Sequence, residues 1–255
     1  MDLQFKDRTI LVTAASKGLG YSVAKILVQE GAQVIICSRS EESLKKATDS
    51  LGDHSRYIVA DLSKSADIDN LILQVKDVTP KLDGLFVNAG GPPPGHFSDI
   101  TDDDWQAAIE LTLMSAVRLT RSALPLLQKS ESPSILYSTS SSVKQPTRNF
   151  LLANSVRLAV IGMMRTLADE LRPEGIRVNA VCPGPIQAHS TEHLPTSSKA
   201  DDRTPRIETE SKTALKRLGR PDEFGKPCAF LLSPVASYIH GTLLLIDGGL
   251  YRGMM

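Results

Sequence analysis

The sequence predicts an α/β fold, a doubly wound parallel sheet of about seven strands with helices on both faces. Short apolar runs rich in β-branched residues alternate with amphipathic stretches of about a dozen residues, the pattern of strand–helix–strand units around a buried parallel sheet. Seven such runs favour a doubly wound sheet. The predicted strands are 9–14, 33–38, 56–61, 84–89, 134–139, 176–181 and 242–247. The predicted helices are 18–30, 41–51, 64–77, 103–128, 150–172 and 221–233.

The 255 residues are predicted to form one domain, 1–255. Their number suits a single large α/β domain, and neither an internal repeat nor a linker divides the sequence. One long segment, 187–212, is polar and rich in turn-forming residues, and it follows the predicted sixth strand. Because ligands bind at that edge of an open sheet, a flexible flap that covers the substrate is favoured over a tolerated insertion.

Charge and cysteine content exclude several classes of partner. The sequence has 29 Lys plus Arg and 29 Asp plus Glu, so no broad field of one sign would attract nucleic acid or an anionic membrane. Cys37, Cys182 and Cys228 lie far apart in apolar stretches, which predicts core packing rather than a metal site or a disulfide. No signal-peptide pattern is visible, and no run approaches the ~18 apolar residues of a membrane span. We therefore expect a cytoplasmic protein that binds a small molecule and no metal.

The segment TAASKGLG, residues 13–20, follows the first predicted strand and opens the first predicted helix. Glycines at this junction let the backbone approach a phosphate, whose charge the helix N-terminus attracts. The pattern alone is weak, because a helix that simply begins with glycines would show it too. Its place between the first two strands indicates a Rossmann-type dinucleotide site. The predicted contacts in this loop are Thr13, Ser16, Lys17, Gly18, Leu19 and Gly20.

The end of the second predicted strand indicates which dinucleotide binds. A carboxylate there would hydrogen-bond the ribose 2′-hydroxyl of NAD and repel a 2′-phosphate. The sequence instead has Ser38 and Arg39, with Lys17 expected beside the same ribose. Two cations and no carboxylate favour NADP(H) over NAD(H). The alternative interpretation is that Arg39 and Lys17 are solvated surface charges.

Further motifs make the sequence similar to the short-chain dehydrogenase/reductase family over essentially its whole length. They are TAASKGLG, ADL at 60–62, VNAGG at 87–91, STSSS at 138–142, RVNAVCPGPI at 177–186, LGRPDEF at 218–224 and IDGG at 246–249. The resemblance implies an oxidoreductase in which a Ser, a Tyr and a Lys, often supported by an Asn, form the catalytic group. In that group the Tyr donates a proton to a carbonyl, the Lys lowers the pKa of the Tyr, and the Ser hydrogen-bonds the substrate oxygen.

The resemblance also implies cofactor contacts beyond the glycine loop. They are Asp61 and Leu62 at the adenine, Asn88, Ala89 and Gly90 at the ribose and the floor of the site, and Pro183, Gly184 and Ile186 beside the nicotinamide. A homotetramer or a dimer, built on the helices at 103–128 and 150–172 and on the C-terminal segment, is implied as well. The apolar face of 150–172 would equally suit the core of the domain itself.

At the expected catalytic positions the sequence departs from the family. The matching stretches ILYSTS at 135–140 and AVIGMMRTLADEL at 159–171 fix the register on either side. The resemblance then assigns Ser140 to the serine, Ala153 to the tyrosine, Arg157 to the lysine and Thr112 to the asparagine. Two further departures are Ala14 for the first loop glycine and Ala188 for a threonine after PGPIQ. An alanine cannot donate a proton, so the usual acid is absent.

The remaining side chains leave the source of a proton open. Arg157 can hydrogen-bond a ribose or a carboxylate, but its pKa is too high for proton transfer. Tyr137 lies in a predicted strand and is expected in the core. Ser140 keeps a hydroxyl near the site, although turn serines at a strand end would look the same. His96, His189 or His193 could supply an acid, though a single loop histidine is more often a surface residue.

Two functional hypotheses follow. The first is an NADP(H)-dependent short-chain oxidoreductase that acts on a carbonyl or conjugated small molecule with an atypical proton donor. In it, Ser140 and Arg157 polarise a carbonyl or bind a carboxylate, and Arg157 also contacts the cofactor. The second is a weak or inactive NADP(H)-binding protein of the same fold that serves as a sensor or structural subunit. The retained Ser140 and the cofactor motifs favour the first, whereas the departures at Ala153, Arg157 and Thr112 favour the second.

Overall fold

A computed structural model describes residues 1–187 and 212–254. Its strands are β1 (Thr9–Thr13), β2 (Gln33–Ser38), β3 (Ser55–Val59), β4 (Gly84–Val87), β5 (Ser134–Ser138), β6 (Arg177–Pro183) and β7 (Leu243–Ile246). They form one parallel sheet in the order β3-β2-β1-β4-β5-β6-β7. The predicted doubly wound sheet is therefore confirmed. The chain reverses its direction of winding between β1 and β4, which creates a crevice at the carboxyl ends of these strands.

Helices cover both faces of the sheet, as predicted. They are α1 (Gly18–Gln29), α2 (Glu41–Leu51), α3 (Ser65–Val78), α4 (Asp102–Ala108), α5 (Ser115–Leu127), α6 (Leu151–Glu170) and α7 (Pro221–Leu232). One apolar core lies between the sheet and α3, α5 and α6, and a second lies between the sheet and α1, α2 and α7. The three cysteines are buried and unbridged, which confirms their predicted role in the core.

The predicted helix 103–128 is not uniform. A π-helical segment, Ile109–Met114, separates α4 from α5. The Ser115 hydroxyl donates to the Leu111 carbonyl oxygen at 2.5 Å, and Glu110 within the segment forms an ion pair with Arg118 of α5 at 2.6 Å. The predicted segment is helical, but its apolar pattern does not reveal the change in the number of residues per turn.

Helix α6 is long and apolar enough to cross a membrane, with a mean hydropathy of 1.3 over 18 residues. This measure rests on length and composition only, and the core helix of a globular protein passes it as well. In this structure Val160 and Met164 are buried in the core between α6 and the sheet. The opposite side of the helix is exposed at Leu158, and an added Cβ at Gly162 would contact nothing within 4 Å.

The amino ends of the strands are joined by the buried carboxylate of Asp83, which is only 1% exposed. It accepts hydrogen bonds from the Thr9 amide at 2.9 Å and the Ser130 hydroxyl at 2.6 Å. Lys81 and Arg8 form ion pairs with it at 3.2 and 3.4 Å. Asp83 therefore connects the starts of β1 and β4 to the loop that precedes β5.

Candidate functional site

The loops that follow β1 and β4 are joined at the crevice by Thr13 and Asn88. The Thr13 hydroxyl donates to the Asn88 carbonyl oxygen at 2.7 Å and accepts from the Asn88 amide at 2.8 Å. The Asn88 side-chain amide donates to the Ala14 carbonyl oxygen at 3.4 Å. Two of the predicted cofactor residues thus fix the distance between the two loops, and Ala89 and Gly90 follow directly at this edge of the sheet.

The glycine loop has a left-handed backbone at two residues. Ala14 has φ +47° and Gly18 has φ +65°. An alanine in this region is strained by its Cβ, so the structure shows why a glycine is usual at residue 14. A Cβ at Gly20 would lie 2.5 Å from the Ala14 carbonyl oxygen, so no side chain fits where α1 meets the loop. Lys17 is exposed at the N-terminus of α1, and Ser16 and Leu19 are half-buried beside it.

At the end of β2, Arg39 is exposed, and the Ser38 hydroxyl is buried with no hydrogen-bond partner among the described residues. Opposing effects set the pKa of Asp61, which follows the next strand, β3. Burial acts to raise the pKa of its carboxyl, but hydrogen bonds from Ser63 and the positive charges of Arg39 and Lys64 bring the pKa below its ordinary value. The positive charge of Arg39 therefore acts on the Asp61 carboxylate at this end of the crevice.

Three further predicted cofactor residues lie where β6 ends. Pro183 is the last residue of the strand, and Ile186 is buried and bridged to Gly219. A Cβ at Gly184 would lie 2.6 Å from the Asp247 Cβ, so only a glycine allows the ends of β6 and β7 to approach. Leu62, the last of the predicted set, is buried beside Asp61.

The guanidinium of Arg157 is anchored to the carboxyl end of β5. One terminal nitrogen donates to the Thr139 carbonyl oxygen at 3.0 Å and to that of Ser138 at 3.4 Å. The other terminal nitrogen lies 3.7 Å from the place that a Cβ on Gly91 would take. Burial lowers the pKa of this guanidinium, but an arginine stays protonated at neutral pH. Arg157 is thus a fixed cation and hydrogen-bond donor beside the loop that follows β4.

The other predicted residues of the catalytic group surround Arg157 without an obvious acid. Ala153 is buried one helical turn before Arg157, so both share one side of α6. Ser140 accepts a hydrogen bond from the Ser142 amide at 3.1 Å, so it also has the local role of a turn serine. Thr112 lies in the π-helical segment that packs on α6, and its buried hydroxyl has no partner among the described residues.

Tyr137 lies within the sheet and not in the site, as the sequence predicts. Its side chain is fully buried, and its hydroxyl is hydrogen-bonded to that of Thr120 at 2.7 Å. Burial raises the pKa of this phenol, which makes it a poor acid at neutral pH.

Tyr137→Phe is therefore expected to leave kcat/KM within about two-fold of wild type, while the lost hydrogen bond lowers the free energy of unfolding by about 1 kcal/mol. Steady-state kinetics and urea unfolding check the two parts separately. A large fall in kcat with unchanged stability would instead show that Tyr137 takes part in proton transfer.

Sequence reasoning missed several residues around the floor of the site. The Cys182 thiol lies 3.2 Å from the Thr139 hydroxyl. Burial raises the pKa of this thiol, although Lys144 and Arg157 act in the opposite sense. Asn154 donates to the Thr147 carbonyl oxygen at 2.9 Å and attaches the loop after β5 to α6. No motif in the sequence marks these contacts, because they join segments that meet only in the folded chain.

Other predicted features lie outside the site or outside the described residues. His96 is exposed in the loop after β4. His189, His193, Ala188 and all but the ends of the predicted flap 187–212 lie outside the described residues. Gln187, just before this stretch, donates its backbone amide to the carbonyl oxygen of Gly219 at 2.8 Å.

Comparisons with known proteins identify the family. Residues 13–251 match the family model described as enoyl-(acyl carrier protein) reductase. The 3-oxoacyl-(acyl-carrier-protein) reductase FabG of Salmonella typhimurium is 32% identical over 251 residues, which cover 98% of this chain and 99% of that protein. The chain belongs to the short-chain dehydrogenase/reductase family. It is accordingly an oxidoreductase of the NAD(P)-dependent type.

Solved structures of other short-chain dehydrogenases/reductases superpose closely on this one. L-sorbose reductase from Gluconobacter frateurii, solved in complex with NADPH and L-sorbose, gives a TM-score of 0.94 at 26% identity, with 100% of both chains covered. A short-chain oxidoreductase from Pseudomonas aeruginosa PAO1 containing an atypical catalytic center gives a TM-score of 0.91 at 25% identity. The match covers 98% of this chain and 99% of that one.

Proposed function

We propose that this short-chain dehydrogenase/reductase is an NADP(H)-dependent reductase of a carbonyl or conjugated small molecule and that its proton donor is atypical. One observation carries the proposal. The cation of Arg157 is anchored to the carbonyl oxygen of Thr139, the residue before Ser140, while the position one helical turn earlier, where the family has its tyrosine, holds Ala153. The pocket thus offers hydrogen-bond donors but no tyrosine acid. The Pseudomonas aeruginosa relative with an atypical catalytic center supports such a departure within the fold.

The residues in the crevice fit NADP(H). The glycine loop and the N-terminus of α1 would bind its phosphates, because no side chain obstructs the backbone at Gly20. Lys17 and Arg39 would bind a ribose phosphate. The buried Ser38 hydroxyl has no hydrogen-bond partner among the described residues, and such a ligand could provide one. The remaining contacts would be Thr13, Ser16, Gly18, Leu19, Asp61, Leu62, Asn88, Ala89, Gly90, Arg157, Pro183, Gly184 and Ile186. The NADPH complex of L-sorbose reductase supports this assignment.

The chemistry follows from what Ser140 and Arg157 are able to do. The cofactor supplies a hydride when it is bound. The Ser140 hydroxyl would bind the substrate carbonyl oxygen, and the Arg157 guanidinium would either stabilise the negative charge that develops there or bind a carboxylate of the substrate. Neither group is an efficient acid at neutral pH, so water or a group of the substrate would supply the proton. A C=C bond conjugated to the carbonyl suits this site better than a simple ketone, because the proton then adds to carbon after charge has formed on oxygen.

The double variant Ala153→Tyr/Arg157→Lys tests this proposal. We expect wild type to oxidise NADPH with enones faster than with simple ketones, and the double variant to gain ketone reduction by about ten-fold or more, since a positioned acid contributes 10²–10⁴-fold. The matched control Ala153→Phe/Arg157→Lys adds similar bulk without a hydroxyl and should show no gain. NADPH consumption over a panel of ketones, quinones and enones measures both.

Two outcomes would contradict the proposal in different ways. If wild type reduces ketones well and the double variant is slower, the wild-type site already has an effective acid. If NADPH binds tightly but no acceptor is turned over, the protein is the sensor or structural subunit of the second hypothesis.

The remaining predictions about organisation extend this proposal. A single sheet with strands from both ends of the chain supports one domain, 1–255. Exposed apolar side chains, Leu158 on α6 and Leu244 on the edge strand β7, support a homo-oligomer, either a dimer or a tetramer. A flap at 187–212 and a cytoplasmic location stay predictions from the sequence.

A further inference from the structure

Arg157 is a cation that the described part of the chain does not neutralise. The residue is half-buried, and one terminal nitrogen of its guanidinium donates to the Ser138 and Thr139 carbonyl oxygens. Within residues 1–187 and 212–254, no carboxylate forms an ion pair with it, and no atom accepts a hydrogen bond from Nε or the other terminal nitrogen. Removing a cation from water costs free energy that a paired anion offsets. Among the described residues, Arg157 therefore has no negative group to pair with.

Other charged groups near Arg157 add to the excess of positive charge in this region. Lys144 is exposed at the end of the short turn after β5, and it lies near enough to Cys182 to lower the pKa of that thiol together with Arg157. The carboxylate of Asp247 acts on the thiol in the opposite sense. Both of its oxygens, however, accept backbone amides of its own turn at 2.9 Å. The loop from 140 to 150 adds another cation, Arg148, and no acidic residue.

The free edge of the guanidinium has a shape that selects among anions. With one terminal nitrogen anchored, Nε and the other terminal nitrogen present a single edge, which matches the two oxygens of a carboxylate. That edge lies beside Gly91, where the added Cβ of any other residue would come within 3.7 Å of the nitrogen. The free edge therefore lies next to a residue that has no side chain of its own.

We propose that the substrate of this enzyme is an organic acid, whose carboxylate pairs with the free edge of Arg157 and so orients a neighbouring C=O or C=C group for reduction. Lys144 raises the local positive potential and favours entry of the anion. This inference rests on the proposed reductase function. It adds that specificity comes from charge at the position where the family has its lysine.

The test compares an acid with its ester. The probes are 4-oxo-4-phenylbut-2-enoate and its methyl ester, which carry the same carbonyl and C=C bond. With NADPH present, we expect wild type to prefer the acid by about ten-fold or more in kcat/KM, mainly through a lower KM, because a charge-assisted pair is lost with the ester. Arg157→Gln should reduce this ratio to about two-fold, and Arg157→Lys should give an intermediate ratio because it keeps the charge without the fork.

A matched control and a binding measurement separate the possible failures. Arg165→Gln removes an exposed cation further along α6 and should keep the wild-type ratio. Calorimetric titration of the NADP⁺-bound protein with each probe reports binding without turnover. Binding of the acid that Arg157→Gln abolishes, with no turnover of either probe, would uphold the anion site and refute the reductase function.

Other results would overturn the inference itself. They are equal kcat/KM for acid and ester in wild type, an acid preference that survives in Arg157→Gln, and failure of the acid to bind. The first of these would leave the reductase function standing. Arg157→Lys supplies the comparison should the glutamine variant fail to fold, since an unchanged ratio in the lysine variant also contradicts a role for the fork.

Discussion

Arg39→Asp is expected to raise the KM for NADPH by about 100-fold, which corresponds to about 2.7 kcal/mol, and to make NADH the better cofactor. An Arg–phosphate contact is a strong charge-assisted hydrogen bond, and the new carboxylate would repel the 2′-phosphate while accepting a ribose hydroxyl. Arg39 can make this contact, because it is exposed at the end of β2 and its charge already acts on Asp61.

Saturation curves for NADPH and NADH with one common acceptor measure this change. The control Arg56→Asp makes the same charge reversal on β3, at an exposed position towards the amino end of that strand, and both KM values should stay within about two-fold of wild type. An unaltered NADPH preference in Arg39→Asp would show that Arg39 is a solvated surface charge.

The second large effect concerns stability. Asp83→Ala should lower the free energy of unfolding by about 3 kcal/mol and the melting temperature by about 8 °C. The variant leaves the Thr9 amide and the Ser130 hydroxyl without their acceptor and removes the anion that Lys81 and Arg8 share.

Urea unfolding monitored by circular dichroism gives the change directly. Asp77→Ala removes an exposed carboxylate from α3 and should change stability by about 0.5 kcal/mol or less. Asp83→Asn keeps an acceptor oxygen and should fall between Asp83→Ala and wild type. Equal unfolding curves for Asp83→Ala and wild type would mean that the network contributes nothing to stability.

The strands could be predicted because each carries a short, mainly apolar run. β5 and β6, which lie inside the sheet, are buried at every residue, so their composition alone distinguishes them from the amphipathic helices between them. The interior of the predicted helix 103–128 could not be predicted. Its residues suit an α-helix, and the wide turns at Ile109–Met114 depend on contacts with α6 and on the Ser115 side chain.

The candidate site, too, could be predicted only in part. Backbone requirements such as the absence of a side chain at Gly20 are visible in the sequence, because a glycine there has few other reasons to occur. The anchoring of Arg157 to two carbonyl oxygens and the location of Lys144 near Cys182 are not, because these contacts depend on how β5, β6 and α6 meet. Residue types thus predict what can bind, and tertiary structure determines which groups are free to do so.

The π-helical segment divides the continuous helix formed by α4, this segment and α5 into two parts that face different neighbours. Each residue of an α-helix turns the chain by about 100°, so an added residue shifts the angular phase of everything that follows. Before the shift, Trp105 and Ala108 pack on Leu152 near the start of α6, and after it Leu119 packs towards the sheet. Substitutions in the first part of this helix can therefore change the contacts with α6 during evolution without disturbing the packing of the second part on the sheet.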